Sequence, residues 1–382
     1  MKVPVFHGLG VADLVRSPGS ARPFPFDAPT HHYFYRARNA IFYLFKALRS
    51  NVDRLVVLAP DYNSGNEELA MRAAGATIRH YAVGRNMTLD PSAVERLCET
   101  HRPDVLYVTH YLGWPQPMTA IVDLCRRRGI RLVEDCALAL LSECDGRPLG
   151  SFGDWSIFCL YKTLPLPNGA LLIQNGPRLE ALERLKLRDA GSASVMGRAA
   201  ELVVQRIRGQ ANGLGAALQV VKRGMGRAAG ALAVHRANVG DIGFNLDEVD
   251  LAMSRLSARL LAGFDYEAIR QRRVDNYRRL DGLLDQSVAR VFPTVPDGAC
   301  PLFFPIVVPD KQATAERLRS CGVDAPEFWN DSSEPGGQEM GPDAQFLRQH
   351  VLELPIHQDL TPRHIDHIAR HVNGLGGLWR AA

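Results

Sequence analysis

Several absences narrow the chain before any motif is read. No apolar run reaches the roughly 20 residues of a membrane-spanning helix, and the opening MKVPVFHGLGVADLVRSPGS has no unbroken apolar stretch ahead of a small-residue cleavage site. No secretory leader is expected, and a cytoplasmic setting is. The cysteines (Cys98, Cys125, Cys136, Cys144, Cys159, Cys300 and Cys321) are odd in number and scattered, and none forms a CxxC pair. Neither a disulfide framework nor a thiolate zinc site is expected. His31, His32, His364 and His367 lack acidic or thiol company at ligand spacing, so they read as surface residues and no metal is expected. Neither G-x-G-x-x-G nor G-x-x-x-x-G-K-[ST] occurs, which removes the dinucleotide and P-loop readings. There is no large excess of one charge either: the net charge is +4. Between Lys186 and Arg236 nine Lys/Arg stand against two Asp/Glu, so the rest of the chain is slightly acidic. A broad nucleic-acid face is not expected from one basic segment.

What is present is a globular composition, 46% hydrophobic and 23% charged, in 382 residues. That length suits two or three domains. Over 36–140 strands and helices alternate. Ala40–Leu48 (AIFYLFKAL) reads as a helix, with Arg36 and Arg38 flanking its start, where a phosphate would be favoured or the two arginines would simply lie on the surface. Arg54–Ala59 reads as a strand, and Asn66–Ala74 as a helix closed by Gly75. Thr77–Val83 follows as a strand, then Pro91–Thr100 as a helix capped by Asp90. Val105–Thr109 is a strand, Met118–Arg128 a helix closed by Gly129, and Ile130–Val133 a strand ending in Glu134 and Asp135. The spacing predicts βαβ units and a parallel sheet with helices on both faces.

Then the rhythm changes. Trp155–Tyr161 and Ala170–Ile173 read as strands joined by a tight connection, a hairpin-like excursion. Over 198–236, Val203, Ile207, Ala211, Leu214, Leu218, Val221 and Met225 form an amphipathic stripe, but six glycines between 209 and 230 oppose a firm helix. This basic segment reads as a surface insertion, or as a helix that makes weak contact with a membrane surface or a partner. Asp247–Leu284 reads as a long helix, Val291–Val308 as strands around a turn, and Ala313–Ser320 as a helix. Leu352–Ile356 leads into a helix with Thr361 as cap and Pro362 in its first position. The expected division is a large domain over 1–240 and a smaller α+β domain over 241–382.

Two residues carry the chemistry. Asp135 ends a strand at the carboxyl edge of the parallel sheet, where open α/β folds bind ligands. Alone it could equally cap a helix. Lys162 directly follows the apolar SIFCLY, and a lysine in apolar surroundings loses its proton readily and forms Schiff bases. Alone it could equally reach solvent. Together, and in this order, they suit pyridoxal 5'-phosphate: the carboxylate keeps the pyridine nitrogen protonated, and the lysine holds the aldehyde and shuttles a proton.

On these residues the chain resembles the DegT-type aminotransferases, fold-type-I pyridoxal phosphate enzymes that act on nucleotide-linked keto-sugars. RNAIFYLFKAL resembles the family's first cofactor-domain helix, VLAPDYNSG its ring-covering loop, and YVTHYLGWPQPM its VHLYGQPxxM segment. VEDCALAL resembles EDAAQA, and GSFGDWSIFCLYKTLPLPNGALLI the stretch that carries the lysine. GFN at 243–245 resembles GYN, and LPIHQDL resembles LPLHP. The resemblance implies a large domain with a mostly parallel seven-stranded sheet. It makes Lys162 the imine lysine and Asp135 the partner of the ring nitrogen. It puts the phosphate at the backbone of Asn39 and Ala40, with Asn245 reaching it from a neighbouring subunit, hence a homodimer. Tyr62 would cover the ring and His110 would lie near it. The implied reaction moves an amino group from an amino-acid donor, glutamate by expectation, to a keto-sugar nucleotide in polysaccharide or glycoconjugate biosynthesis. Sugar dehydration by the same cofactor, and a non-catalytic descendant binding a sugar nucleotide or a partner, are the alternatives. The departures are Leu138 in place of a glutamine, Ile157 in place of a hydroxyl residue, Ser64 in place of the stacking aromatic, and Leu246 in place of a basic residue.

Overall fold

The computed structural model describes residues 1–10, 13, 22–210, 243–327, 329 and 340–375. Seven strands make the central sheet: β1 (His31–Phe34), β2 (Leu55–Pro60), β3 (Ala76–Tyr81), β4 (Val105–Thr109), β5 (Arg131–Asp135), β6 (Trp155–Cys159) and β7 (Ala170–Gln174). Their order is β1-β7-β6-β5-β4-β2-β3. The run from β3 through β2, β4 and β5 to β6 is parallel, and β7 is antiparallel to both its neighbours. This is the α/β architecture expected, with the hairpin-like excursion as its antiparallel margin.

Helices α1 (Ala37–Arg49), α2 (Asn66–Ala73), α3 (Pro91–His101) and α4 (Met118–Arg128) cover the sheet. Strand alternation sends Val57, Val105, Val133 and Ile157 into one core with Ile41, Leu44 and Met71. It sends Leu58, Leu106, Leu132 and Phe158 into the other, with Val94, Ile121 and Leu124. The punctuation is where the sequence puts it. The Asp90 carboxylate accepts the Ser92 N–H at 2.9 Å, and Gly129 closes α4 at φ 65°.

Beyond the sheet, α5 (Ser192–Gln210) buries Val195, Ala199 and Leu202. The Leu9 N–H donates to the Leu202 carbonyl at 3.1 Å, and the Gln205 amide to that of Phe6 at 2.8 Å. The start of the supposed insertion is therefore packed against the N-terminal strand of chain; 211–236 lies outside the described residues, as does the expected domain boundary. Among the described residues no helix is long and apolar enough to cross a membrane.

The C-terminal part departs from the sequence reading in two places. The long helix is interrupted into α6 (Arg255–Leu261) and α7 (Tyr266–Leu283), because Ser254 and Asp265 cap new starts with bonds to the N–H groups of Ser257 and Ala268. Residues 291–308 give one strand rather than two, β8 (Phe303–Val307). The stretch before it is drawn instead to the segments that follow β4 and β5, with Leu302 N–H on the Leu112 carbonyl and Cys300 N–H on Ser142 Oγ, both at 2.9 Å. After α8 (Lys311–Ser320) and α9 (Pro342–His350), β8 finds its antiparallel partner in β9 (Val351–Pro355), and α10 (Pro362–Asn373) packs on α7. Thr361 caps α10 in a reciprocal pair with His364, which gives that histidine a structural task.

Candidate active site

The sheet delivers the site residues through its carboxyl edge. In β5, alternation turns Glu134 and Asp135 to opposite faces. Asp135 is 2% exposed. Its Oδ1 accepts the Ala137 N–H at 2.9 Å and its Oδ2 the Tyr107 hydroxyl at 2.8 Å. Burial, reinforced by the negative charge of Glu67, pushes the carboxyl up to about 6, against the opposing pull of the Ala137 N–H, Lys162 and Tyr107.

Lys162 ends the 3-10 turn Leu160–Lys162 that continues β6. The turn is tied by Leu160 N–H to the Gly169 carbonyl and Leu164 N–H to that of Leu160. Gly169 sits at φ 140°, and a Cβ there would come within 2.9 Å of Met253 Sδ, so the return into β7 requires glycine. Lys162 and Asp135 line one cavity of about 440 Å³, with Arg38, Tyr62, Glu67, Tyr111, Tyr161, Trp329 and Glu353 around them.

Tyr62 is on the wall, as expected, edge-on to Trp329 at 4.6 Å between ring centroids. Ser64 also lines the cavity and donates to Glu67 at 2.6 Å, so a hydroxyl and a carboxylate stand where the family pattern has an aromatic. Leu138 is on the wall, and Ile157 is wholly in the core. Ser156 projects to the other face, near Gly150, and supplies no hydroxyl to the cavity.

Two expectations need correction, those for the phosphate site and for His110. Asn39 and Ala40 are buried behind the wall, and their N–H groups are spent on the Arg36 carbonyl. The Asn39 amide goes to the Glu248 carbonyl. The apolar pattern begins at Ala40, but α1 begins at Ala37, so its first turn is opened by Ala37 and Arg38. Those two residues, with Ile41, face the cavity. His110 is also off the wall: its Nδ1 accepts the Gln116 N–H and its Nε2 faces Glu134 at 3.2 Å, a buried structural pair. Asn245, finally, is exposed on its own chain, where its side chain caps Asp247. Two residues earlier, Gly243 accepts from Arg38 and donates to Asn66.

Residues absent from the sequence reading are Tyr107, Glu67, Trp329 and Arg273. Tyr107 lies on the same face of β4 as Thr109, which pairs with Asp135, so strand alternation alone would have pointed to it. Trp329 stands in a Ser-, Gly- and Glu-rich stretch with no periodicity to place it.

With a buried carboxylate and an amine sharing a cavity at this edge, comparison with known proteins becomes decisive. The model of the DegT/DnrJ/EryC1/StrS aminotransferase family matches residues 39–373. The chain belongs to this family. Curated relatives match over shorter stretches. The dTDP-4-dehydro-2,3,6-trideoxy-D-glucose 4-aminotransferase of Saccharopolyspora spinosa is 37% identical over 97 residues, 25% of this chain and 24% of that protein. The GDP-perosamine synthase of Escherichia coli O157:H7 is 33% identical over 82 residues, 21% of this chain and 22% of its own. The chain thus matches under a quarter of the length of these family members. Among solved structures, Helicobacter pylori PseC, an aminotransferase involved in the biosynthesis of pseudoaminic acid, superposes with a TM-score of 0.69 at 15% identity, covering 97% of this chain and 98% of that one. The putative sugar aminotransferase Spr1654 from Streptococcus pneumoniae, in its PLP form, gives 0.69 at 14% identity over 98% of both chains. The family fold therefore extends over nearly the whole chain.

Proposed function

We propose that this protein is a pyridoxal phosphate-dependent aminotransferase that moves an amino group from an amino-acid donor, glutamate by expectation, to a keto-sugar carried on a nucleotide. The observation that carries the reading is the shared cavity: Lys162 and Asp135, delivered by the neighbouring strands β6 and β5, line one space at the carboxyl edge of the sheet.

The donor set suits the cofactor. Lys162 is an amine for its aldehyde, Asp135 a carboxyl partner for its ring nitrogen, and Arg38 in the first turn of α1 a cation beside its phosphate. When bound, the group supplies a carbonyl for amines to condense with and a ring that accepts electron density. The chain's own part is positional. Tyr107 and Ala137 hold the Asp135 carboxylate towards the cavity. Lys162 would hold the aldehyde through its Nζ and, as a free amine, would serve as the base that carries protons between the carbons of the bound groups. Tyr62 and Trp329 narrow the space and exclude water. Asn245 serves the phosphate site of a neighbouring subunit in a homodimer, and the setting is the cytoplasm.

The test begins with cofactor uptake. Protein incubated with pyridoxal phosphate should turn yellow, and borohydride should fix the label to the Lys162 peptide. Glutamate should then bleach the colour, and a keto-sugar nucleotide should restore it while gaining an amine by mass. Lys162→Ala should lose the label and reduce turnover at least ~1,000-fold, as for removal of a covalent catalyst. Stable colour with every amino donor, or a label on another lysine, would refute the assignment.

A further inference from the structure

Arg273 is the feature that the chemistry above does not use. It is 1% exposed on α7, and among the described residues no carboxylate pairs with it. A buried cation normally requires an anion. Here the two terminal nitrogens are held by main-chain carbonyls, while Nε is buried without a partner: Nη1 donates to the carbonyls of Pro301 at 3.2 Å and Leu302 at 3.1 Å, and Nη2 to that of Thr163 at 3.3 Å. Thr163 is the residue after Lys162, and Leu302 is itself on the cavity wall. The Thr163 carbonyl has a second donor, the Gln358 amide at 3.0 Å, from the segment following β9. The carbonyl behind the lysine is thus gripped by two side chains of the C-terminal part, while the lysine's own strand belongs to the sheet.

We propose that Arg273, assisted by Gln358, is a positioning residue for Lys162, fixing the lysine's turn to the C-terminal part through the Thr163 carbonyl. The inference builds on Lys162 as the aldehyde-binding lysine of the proposed function. A planar fork that reaches three carbonyls at once suits the task, because it fixes both a direction and a distance. It also explains the retention of an unpaired charge in the interior, where an apolar side chain would cost less. Loosening the grip would let the turn drift, and displacements of a reacting group by about 1 Å are costly to catalysis.

The experiment compares wild type, Arg273→Lys, Arg273→Gln and Gln358→Leu with two readouts. The first is the acetylation rate of Lys162 by acetic anhydride in cofactor-free protein, measured by peptide mass spectrometry against Lys2 and Lys46. The second is the rate of borohydride-trapped attachment of pyridoxal phosphate to Lys162, together with its pH midpoint. Arg273→Gln should change the relative acetylation of Lys162 and slow attachment about tenfold, in keeping with the loss of charge-assisted hydrogen bonds. Arg273→Lys should recover part of the loss, and Gln358→Leu should lose about twofold to threefold. A folded Arg273→Gln with wild-type rates and midpoint overturns the proposal. Should Arg273→Gln fail to fold, Gln358→Leu decides, and wild-type behaviour there overturns it equally. If wild-type Lys162 takes up no pyridoxal phosphate, the proposed function fails, and the acetylation arm still judges the clamp.

Discussion

Glu134 and Asp135 are consecutive on β5, and the pleat sends them into two regions that treat a carboxylate differently. Behind the sheet, the Glu134 oxygens accept the N–H groups of Gly150 (2.8 Å), Phe152 (2.7 Å) and Gly153 (2.6 Å) and face His110. Its hydrogen-bonding capacity is spent on holding a loop. At the cavity, Asp135 has two neutral donors and one lining amine, and its surroundings leave it an open side. One strand therefore carries a structural anion and a chemical one. Number of donors, rather than burial, separates them, for both are nearly inaccessible.

The hardest test of that contrast exchanges each acid for its amide. Asp135→Asn should leave the melting temperature within a few degrees and reduce amino transfer by about 100-fold or more, because a neutral amide cannot hold a protonated ring nitrogen. Glu134→Gln should do the reverse. Its amide group would confront backbone N–H donors, and about 3 kcal/mol or more of stability should go, read by denaturant unfolding. Equal damage to activity by the two variants, at equal stability, would dissolve the distinction.

The contrast also marks what the sequence could say. The strand ends, the Asp90 cap, the Gly129 terminator and the Lys162–Asp135 pair were legible because each is a local pattern with a local cause. The start of α1 was legible in the arginines Arg36 and Arg38 that flank it and not in the apolar periodicity, which begins only at Ala40. The break between α6 and α7 was hidden by continuous helical propensity, although Ser254 and Asp265 were available as cap residues. Arg273 was illegible for another reason. Its partners are carbonyls at 163, 301 and 302, and a main-chain acceptor leaves no trace in residue identity.

Acid should act on the two regions separately. His7 is buried beside Arg273, and burial first, then that charge, lowers its imidazole to about 3. His357, whose ring Nε2 lies 3.0 Å from the Pro4 carbonyl, is lowered well below the usual imidazole range by burial first and then by the neighbouring His7. In each case the unfolded chain takes up a proton below its ordinary pKa of about 6.5 and the folded chain does not. Stability contributed by the neutral His7 ring is thus complete above about 6.5 and is lost as pH falls towards about 3, by up to about 1.4 kcal/mol per pH unit, and His357 acts in the same direction. Melting temperature measured from pH 7 to pH 4 should fall steeply, and His7→Asn should make the slope shallower. A slope unchanged by that substitution would mean that other groups carry the acid sensitivity.

The smallest effect expected is the most specific to the cavity. Tyr107 donates to Asp135 Oδ2 at 2.8 Å and favours the ionised carboxylate. Tyr107→Phe removes that donor and leaves the ring in the core, so the Asp135 pKa should rise further. The acid limb of the pH–rate profile should then move to higher pH by about half a unit to one unit, which corresponds to a single hydrogen bond of about 1 kcal/mol. At pH 8, where the carboxylate is ionised in both proteins, turnover should be close to wild type. A loss of equal size at every pH would show that the hydroxyl acts on something other than the charge of Asp135, and the division between a structural and a chemical acid would then need a second criterion besides donor count.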